Sequence, residues 1–273
     1  MGNLNLKKIK SFGKDKRKLN FMEEKLIWLL NEKYQGKLTK EFKKDAQLLK
    51  KGFPIDYLIG FVDFLGAKID LSKKPFIPRE ETQFWVKNFI LSLKSSKRKN
   101  LLILDLFSGS GAIGIALLKN LPKRIRRVDF GEKNPKFLEQ IKINLKINKI
   151  PLRKVKVIQT DVFEKIKEKY HFILANPPYC DPKKKSWFQK SVLEYEPKEA
   201  VLAKDGGLYF IKKLIFEGKR YLKKGGKILF EFSFEQKEKI ENLAKKAGFE
   251  VKFFKDNYNL WRMAMLWPKY DKF

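Results

Sequence analysis

A turn with two prolines follows a short apolar run and could orient an amide or an exocyclic amine. The run 172–175 is apolar enough for a buried strand, and Asn176-Pro177-Pro178-Tyr179 comes directly after it. Proline fixes φ and has no backbone N–H, so this turn keeps carbonyl acceptors free. The Asn176 side-chain oxygen and the Pro177 carbonyl could then bind an NH₂ group from two sides, with Tyr179 as an aromatic wall beside it.

Such a turn favours methyl transfer to a planar nitrogen. The lone pair of that nitrogen is delocalised, so two acceptors that bind its N–H groups can direct the remaining lobe toward a methyl donor. The transfer is an in-line displacement that depends mostly on positioning. No strong general base is needed, because the nitrogen becomes acidic once it is cationic.

A glycine turn earlier in the chain is typical of a cofactor loop. The apolar run 101–106 predicts a buried parallel strand, and it leads through Phe107-Ser108-Gly109-Ser110-Gly111 into a helix. The two glycines of this turn, with Gly114, also have the spacing of a dinucleotide fingerprint. Asp105 argues against a pyrophosphate, because two anionic groups repel. A carboxylate there suits the ammonium and sulfonium of S-adenosylmethionine.

Acidic residues follow the next two predicted strands. The second strand, 126–130, ends near Asp129 or Glu132, where a carboxylate can accept hydrogen bonds from both ribose hydroxyls of a nucleoside. The third strand, 155–159, is followed by Asp161, which is placed to meet an adenine amino group. The order of these acids after successive strands predicts one cofactor site.

The rest of the pattern predicts the fold that brings these turns together. From residue 78 onward, apolar runs of strand length alternate with helical periodicity. This is typical of an α/β fold with a doubly wound, mainly parallel, Rossmann-like sheet. We expect seven strands, of which the last two, 249–255 and 263–266, close the sheet as a pair. We predict a basic arm and helical domain over 1–54, an extended or hairpin connector over 55–77, and the α/β domain over 78–273.

Composition excludes several classes of protein. One cysteine and one histidine rule out a disulfide framework and a multi-cysteine zinc site, and they argue against a Ser-His-Asp device. We therefore expect no metal. No apolar run approaches the roughly 18–20 residues that span a bilayer, and residues 1–20 lack the apolar core of a secretory signal. We expect a cytoplasmic protein without membrane contact.

The positive charge does not identify a partner by itself. The 273 residues include 62 Lys or Arg and 31 Asp or Glu, for a formal net charge of +31. Such a chain attracts polyanions, so weak nonspecific binding to them is expected. However, only nine of the basic residues are Arg and the lysines are spread along the chain, which is also typical of a simply Lys-rich surface.

Several stretches resemble the release-factor glutamine methyltransferase family, one of the class I methyltransferases. Residues 76–82 resemble its I-P-R-P-E-T box, and residues 53–60 resemble its G-x-P-x-x-Y-x-x-G segment. The cofactor turn, the Asn-Pro-Pro-Tyr turn and the segments 194–201 and 205–208 also match. The resemblance covers about residues 50 to 266.

The resemblance implies a reaction, a partner and a set of site residues. The enzyme would transfer a methyl group from S-adenosylmethionine to the glutamine amide in the Gly-Gly-Gln motif of class I peptide chain release factors, in translation termination. We expect a monomer, although the resemblance does not imply an oligomeric state. The N-terminal helical domain would recognise the release factor. The implied cofactor contacts are Asp105, Phe107, Ser108, Gly109, Ser110, Gly111, Glu132, Asp161, Val162 and Asn176. The implied substrate contacts are Asn176, Pro177, Pro178, Tyr179 and Glu196, of which Asn176, Pro177 and Tyr179 would be catalytic.

The chain departs from the family pattern at a few positions. Phe107 replaces the first glycine of the usual cofactor turn, Glu132 replaces an aspartate, and Glu80 replaces the second proline of the I-P-R-P-E-T box. None of these changes removes a group that the reaction needs. We interpret His171 as a strand-entry residue and Cys180 as a small buried apolar residue, because no base or helix N-terminus is evident to activate its thiol.

Three other functions are open from the residues. An adenine-N6 DNA or RNA methyltransferase suits the charge, and Tyr179 could stack on a flipped base. Against it, the resemblance leaves no stretch for a target-recognition domain. A ribosomal-protein glutamine methyltransferase would share the Asn-Pro-Pro-Tyr turn but lack the Glu81-Thr82 ending of the box. A non-enzymatic ribosome-binding protein is disfavoured by the intact cofactor and Asn-Pro-Pro-Tyr turns.

Overall fold

The chain divides into two compact units between Phe61 and Val62. The computed structural model describes residues 20–187 and 189–269, so nearly all of the predicted basic arm lies outside the described residues. The predicted domain boundaries after residues 54 and 77 remain predictions.

Within residues 20–61, which are the described part of the first unit, there are three helices: α1 (Phe21–Tyr34), α2 (Lys40–Lys50) and α3 (Ile55–Ile59). The apolar spacing of residues 21–51 predicts helices, and α1 and α2 confirm this. Thr39 is the N-cap of α2, because its hydroxyl accepts a hydrogen bond from the Phe42 N–H at 3.1 Å. This cap and the buried apolar residues of both helices explain why the segment is helical.

Helix α3 differs from the sequence prediction of extended backbone. It has only five residues, too few to show a helical period in the sequence. It ends at Gly60, whose φ of 94° closes the helix in the left-handed conformation that glycine adopts readily. Ile55, Leu58 and Ile59 are buried in the core of the first unit.

The chain continues through a hairpin of β1 (Phe61–Phe64) and β2 (Ala67–Asp70). Leu65 and Gly66 connect these strands with φ values of 52° and 80°. Two consecutive positive φ values suit a two-residue hairpin, because they match the twist of the flanking strands. The predicted hairpin is therefore confirmed.

The α/β domain alternates helices and strands after this hairpin. Its elements are α4 (Glu80–Ser95), β3 (Leu101–Leu106), α5 (Ala112–Asn120), β4 (Ile125–Glu132), α6 (Pro135–Ile147), β5 (Val155–Gln159), β6 (Tyr170–Ala175), α7 (Lys190–Tyr195), α8 (Lys198–Val201), α9 (Tyr209–Glu217), β7 (Leu222–Glu231), α10 (Lys237–Lys246), β8 (Phe249–Lys255) and β9 (Trp261–Pro268). Short 3₁₀ turns cover Leu152–Lys154, Pro182–Trp187, Gly218–Tyr221 and Phe234–Gln236.

The seven-stranded sheet has the order β5-β4-β3-β6-β7-β9-β8. The five neighbouring strands β5, β4, β3, β6 and β7 pair in parallel. Strand β9 pairs antiparallel with both β7 and β8. This confirms the predicted doubly wound, mainly parallel sheet and the closing pair of strands. The chain reverses its direction of winding between β3 and β6, and ligands of such sheets bind at the carboxyl ends of the strands at that point.

The apolar pattern of the sequence predicts a helix over 207–222 and a strand over 227–232, and the boundary between them differs in the structure. Helix α9 ends at Glu217, and a 3₁₀ turn follows it. Strand β7 already begins at Leu222, because its polar start masks the apolar alternation in the sequence. Both differences lie at the end of the sheet away from the cofactor turn.

Helix α5 packs closely against the sheet at Gly114. A Cβ at this position would lie 2.4 Å from the Phe130 ring of β4, far inside van der Waals contact. The absent side chain therefore lets the helix approach the strand. This close approach explains the third glycine of the fingerprint-like spacing without any contact to a ligand.

Helix α6 binds the hairpin through amide side chains spaced four residues apart. Gln140 and Asn144 on the helix, and Asn148 just beyond it, each accept a hydrogen bond from a backbone N–H within 68–73, at distances between 2.7 and 3.1 Å. Asn144 also donates to the Ser110 carbonyl at 2.9 Å. The hairpin, α6 and the glycine turn are therefore linked.

Candidate active site

A cavity of about 480 Å³ opens at the carboxyl ends of the strands, where the sheet reverses its winding. This volume is within the usual range for small-molecule sites. The predicted site residues that line it are Phe107, Ser108, Gly109, Ser110, Glu132, Asp161, Val162, Asn176 and Pro178. The predicted residues outside its lining are Asp105, Gly111, Pro177, Tyr179 and Glu196. Lining residues that sequence reasoning did not assign to the site include Phe64, Phe76, Pro78, Thr82 and Phe210.

The glycine turn forms one wall of the cavity with left-handed backbone. Gly109 and Gly111 have φ values of 53° and 78°, and Phe107 has a φ of 59°. Phe107 thus adopts a left-handed conformation that glycine adopts readily, at a cost of roughly 1–2 kcal/mol for a residue with a Cβ. Its ring packs edge-on against Phe210, with 5.3 Å between centroids, and this contact offsets part of the cost.

Glu132 lies at the end of β4 and lines the cavity. Its Oε2 accepts a hydrogen bond from the Gly109 N–H at 2.9 Å, and its Oε1 accepts one from the Asn134 N–H at 2.8 Å. Burial raises the pKa of this carboxyl, and the backbone hydrogen bonds oppose the rise. A carboxylate has about four acceptor positions, so the two oxygens keep capacity for hydroxyl donors of a ligand.

Asp129, the other candidate for a ribose-binding acid, lies away from the cavity. Its side chain is fully buried and bound by Arg127 at 2.6 Å and by the Tyr170 hydroxyl at 2.9 Å. The carboxylate is therefore occupied inside the sheet, before the strand end is reached. Of the two acids, only Glu132 lines the cavity.

Asp105 lies beneath the glycine turn rather than on the cavity wall. Its Oδ2 accepts a hydrogen bond from the Gly114 N–H at 2.9 Å. Its Oδ1 is buried and, among residues 20–187 and 189–269, has no hydrogen-bond partner. Burial raises the pKa of this carboxyl to about 8, and the nearby Glu132 charge adds to the rise.

Asp161 and Val162 line the cavity after β5. Asp161 is bound by the Lys133 ammonium at 2.7 Å. Val162 has a φ of 52°, although a β-branched side chain rarely adopts the left-handed region. Strained backbone of this kind concentrates at ligand sites. This turn and the glycine turn both contain a non-glycine residue with a positive φ, and both line the cavity.

The Asn176 side chain reaches the cavity with a defined orientation. Its Nδ2 donates a hydrogen bond to the Thr82 hydroxyl oxygen at 3.1 Å. This bond leaves the Asn176 Oδ1 as the acceptor for a ligand. Pro177 and Pro178 are buried beside it, and Pro178 lines the cavity.

Behind Asn176 lies a buried carboxylate that sequence reasoning missed. Glu231, the last residue of β7, is 1% exposed. Its Oε2 accepts hydrogen bonds from the Trp85 Nε1 at 2.9 Å and from the Thr82 hydroxyl, and its Oε1 accepts one from the Tyr179 hydroxyl at 3.2 Å. Burial raises its pKa, and the Thr82 and Trp85 hydrogen bonds oppose the rise. The only local signal for it is an acid at the end of an apolar strand.

Tyr179 differs from the prediction of an aromatic wall. Its ring packs against the core of the domain, and its hydroxyl is bound to Glu231. Burial raises the pKa of this hydroxyl well above its usual value. The Tyr179 carbonyl accepts a hydrogen bond from Gln236 at 2.9 Å, and a Cβ on Gly207 would lie 2.0 Å from the same oxygen. Tyr179 therefore anchors the proline turn.

Glu196 also lies behind the cavity. Its side chain is 2% exposed, accepts a hydrogen bond from the Ile77 N–H at 3.0 Å and forms an ion pair with Arg79. These contacts fix the I-P-R loop, of which Phe76 and Pro78 line the cavity. The geometry gives Glu196 a position behind this loop instead of the predicted substrate contact.

His171 and Cys180 occupy structural positions. His171 lies at the far end of β6, where its Nδ1 accepts a hydrogen bond from the Leu102 N–H at 3.0 Å, and burial lowers its pKa. Cys180 is buried, and burial raises the pKa of its thiol to about 12. The Cys180 thiol therefore stays protonated near neutral pH and is not activated as a nucleophile, and the His171 Nδ1 is occupied by the backbone.

Two further observations concern the described residues alone. Within 20–187 and 189–269, no helix is both long enough and apolar enough to span a bilayer. The same residues contain no group of three or more His, Cys, Asp or Glu side chains that could bind a metal ion.

The fold and the chain's similarity to a family define the class of protein. The methyltransferase small domain family matches residues 83–251. A methyltransferase from Pyrococcus furiosus has a similar fold, with a TM-score of 0.54 and 18% identity, over 83% of this chain and 98% of that one. The α/β domain is therefore that of a class I methyltransferase.

More similar relatives define the family within this class. A release factor glutamine methyltransferase of Thermodesulfovibrio yellowstonii is 34% identical over 200 residues, which cover 72% of this chain and 70% of the relative. The one of Streptococcus pneumoniae is 31% identical over 244 residues, covering 88% and 84%. The chain belongs to the release factor glutamine methyltransferase family, as the resemblance predicted.

Proposed function

We propose that this enzyme transfers a methyl group from S-adenosylmethionine to the side-chain amide nitrogen of the glutamine in the Gly-Gly-Gln motif of class I release factors. Membership in the family supports the reaction. The observation that carries the proposal is the orientation of Asn176. Its Nδ2 is bound by Thr82, so its Oδ1 is left to accept a hydrogen bond from an amide NH₂.

The cavity residues fit S-adenosylmethionine. Glu132 keeps acceptor capacity for ribose hydroxyls, and Asp161 and the Val162 turn lie where an adenine would be expected. The buried Oδ1 of Asp105, which has no hydrogen-bond partner within the part of the chain that the structure describes, lies just below the glycine turn and places a potential negative charge beneath the wall. When bound, this cofactor supplies the electrophilic methyl group.

The acceptor side of the cavity would orient the glutamine amide. We propose that the Asn176 Oδ1 and the Pro177 carbonyl accept the two N–H groups and so direct the nitrogen lobe at the methyl group. Phe76, Phe107 and Phe210 would exclude water from the nitrogen. Holding the nitrogen and the methyl group in the right geometry can accelerate the transfer strongly without a general base.

The remaining assignments follow from the same reaction. We propose that the helical domain over 1–54 binds the release factor, that 78–273 carries the chemistry, and that the protein acts as a cytoplasmic monomer. The high positive charge would add weak, salt-sensitive attraction to polyanions.

Labelled methyl transfer tests the proposal directly. Purified enzyme and labelled S-adenosylmethionine are incubated with a class I release factor, with the same factor carrying Gly-Gly-Ala in place of Gly-Gly-Gln, and with total RNA. Label on the native factor alone is the expected result. Label on the RNA with none on the factor would instead make the Asn-Pro-Pro-Tyr turn an adenine site.

A further inference from the structure

A chain of buried hydrogen bonds connects Asn176 to residues far away in the sequence. Thr82 and Trp85 come from α4, and Glu231 comes from the end of β7. Asn176 Nδ2 lies 3.1 Å from the Thr82 Oγ1, and the Trp85 Nε1 lies 2.9 Å from the Glu231 Oε2. Thr82, Trp85 and Glu231 are each no more than 3% exposed, so water does not compete for these groups.

The direction of each hydrogen bond follows from the donor and acceptor types. The indole N–H of Trp85 can only donate, so the Glu231 Oε2 is an acceptor. The Thr82 hydroxyl has a single proton and directs it at the same oxygen. The lone pairs of Thr82 therefore face Asn176, and the Asn176 atom that lies against them must be the NH₂ group. A flip of the amide would place two oxygens against each other.

We propose that Thr82 and Glu231 are positioning residues that fix the orientation of the Asn176 amide and thereby keep its Oδ1 directed at the acceptor nitrogen. This inference deepens the proposed function and rests on it. It concerns the rate of transfer rather than binding of the cofactor. Glu231 accepts hydrogen bonds from three side chains. One of them, the Thr82 hydroxyl, directs its proton at Glu231 and therefore presents a lone pair to the Asn176 NH₂ group.

The proposal predicts different kcat values for two substitutions of Thr82. Thr82→Val keeps the branched shape and removes the hydroxyl, whereas Thr82→Ser keeps the hydroxyl. Thr82→Val should lower kcat at least about tenfold, because misorientation of a positioning group costs up to about 100-fold. The KM for the release factor and the cofactor Kd from calorimetry should change less than about threefold. Thr82→Ser should retain kcat within a few fold of the parent enzyme.

A double variant distinguishes positioning from a purely structural effect. If Thr82 acts through Asn176, Thr82→Val should lower the residual rate of an Asn176→Ala enzyme by less than about threefold.

Glu231→Gln retains an oxygen for Trp85 and Thr82 and should keep more of kcat than Glu231→Leu. Ser92→Ala removes a hydroxyl from the same helix away from the cavity and serves as the control for α4, with kcat expected to stay the same.

Three results would overturn the inference. These are a Thr82→Val enzyme with parental kcat, a Thr82→Ser enzyme as slow as Thr82→Val, and a full additional loss in the Asn176→Ala background. Each of them presupposes that the parent enzyme methylates the release factor. A parent enzyme that does not label the factor would instead contradict the proposed function, so the two failures are distinguishable.

Discussion

The two walls of the cavity are built in different ways. The wall that we propose to bind the cofactor, called the cofactor wall, is mostly backbone: the turns at 107–111 and 161–162 contain left-handed residues, and Glu132 accepts hydrogen bonds from the Gly109 and Asn134 N–H groups. The acceptor wall depends on side chains, because Asn176 is oriented through Thr82 and Glu231. The hydrogen bond between Gly109 and Glu132 on the first wall joins residues 23 positions apart, whereas the one between Thr82 and Glu231 on the second joins residues 149 positions apart.

Two of the three named departures from the family pattern lie on the cofactor wall. Phe107 and Glu132 are exchanges on the cofactor wall, and both keep the feature that matters there, which is backbone conformation or an acceptor oxygen. On the acceptor wall, each buried polar group depends on a particular partner. Removing one partner of such a pair costs about 1–3 kcal/mol. The acceptor wall should therefore tolerate substitution less.

The largest effect is expected for Asn176→Ala. Loss of an oriented group at the reacting atoms typically lowers kcat about 100- to 1,000-fold. Cofactor affinity should fall much less, because the cofactor wall is separate. Rates and calorimetric Kd values check this, with the exposed Asn257→Ala as the control. An equal loss of affinity and rate would show that the walls are not independent.

Gly207→Ala should displace the proline turn at 176–179, which carries Asn176 of the acceptor wall. The added Cβ would lie 2.0 Å from the Tyr179 carbonyl, so the proline turn must move. We expect a loss in kcat of about 10- to 100-fold together with a lower Tm. Gly36→Ala is the matched control: its φ is also positive at 78°, but nothing lies within 4 Å of a Cβ there. Equal effects of the two substitutions would mean that backbone strain, and not the clash, matters.

Glu132→Ala should weaken the cofactor wall. Hydrogen bonds to a charged acceptor contribute about 1.5–3 kcal/mol, so cofactor Kd should rise tenfold or more. Glu132→Asp keeps the acceptor and should raise Kd only a few fold. At saturating cofactor, kcat of both variants should stay close to that of the parent. A large fall in kcat with an unchanged Kd would refute the assignment of Glu132 to the cofactor.

Asp105→Asn should change the pH dependence of stability. The folded pKa of Asp105 is about 8, raised from the usual 3.8, so the folded state retains the proton longer than the unfolded state. Stability is therefore lost as pH rises from about 4 through 8. The asparagine side chain of the variant cannot ionise, so the variant should gain at least ~1 kcal/mol over the parent at pH 8 relative to pH 5. Denaturant titrations at both pH values measure this; parallel curves would contradict it.

The smallest expected effect is a difference in stability between two substitutions of Phe107. Both Phe107→Ala and Phe107→Gly lose the contact with Phe210, but only alanine retains a Cβ in the left-handed conformation. The glycine variant should be more stable than the alanine variant by about 1 kcal/mol. Denaturant midpoints decide between them, and a more stable alanine variant would mean that Phe107 is not strained.

Two buried carboxyls show why partners matter more than burial. Asp105 has one backbone donor and an oxygen without a partner among the described residues, whereas Glu231 accepts three side-chain hydrogen bonds. Both pKa values are raised by burial. Glu231 therefore has the donors of a fixed acceptor, whereas Asp105 accepts only the Gly114 N–H among the described residues.

Much of the fold could be predicted because its signals are local. The buried run of β3 and the alternation of strands and helices follow from side-chain periodicity. The turn at 107–111 and the proline turn at 176–179 follow from residues with special backbone preferences. Helix α3 was missed because five residues show no period, and the start of β7 was masked by its polar residues.

The sequence by itself determined the doubly wound sheet and the two turns that meet at its edge, because apolar periodicity, glycine and proline act on neighbouring residues. Only the tertiary structure decided which polar side chains face the cavity. Asp129 and Glu196 are occupied by basic partners, Tyr179 lies against the core, and Glu231 supports Asn176 through Thr82. The physical reason is that a buried polar group requires a hydrogen-bond partner, and that partner comes from wherever the fold places one.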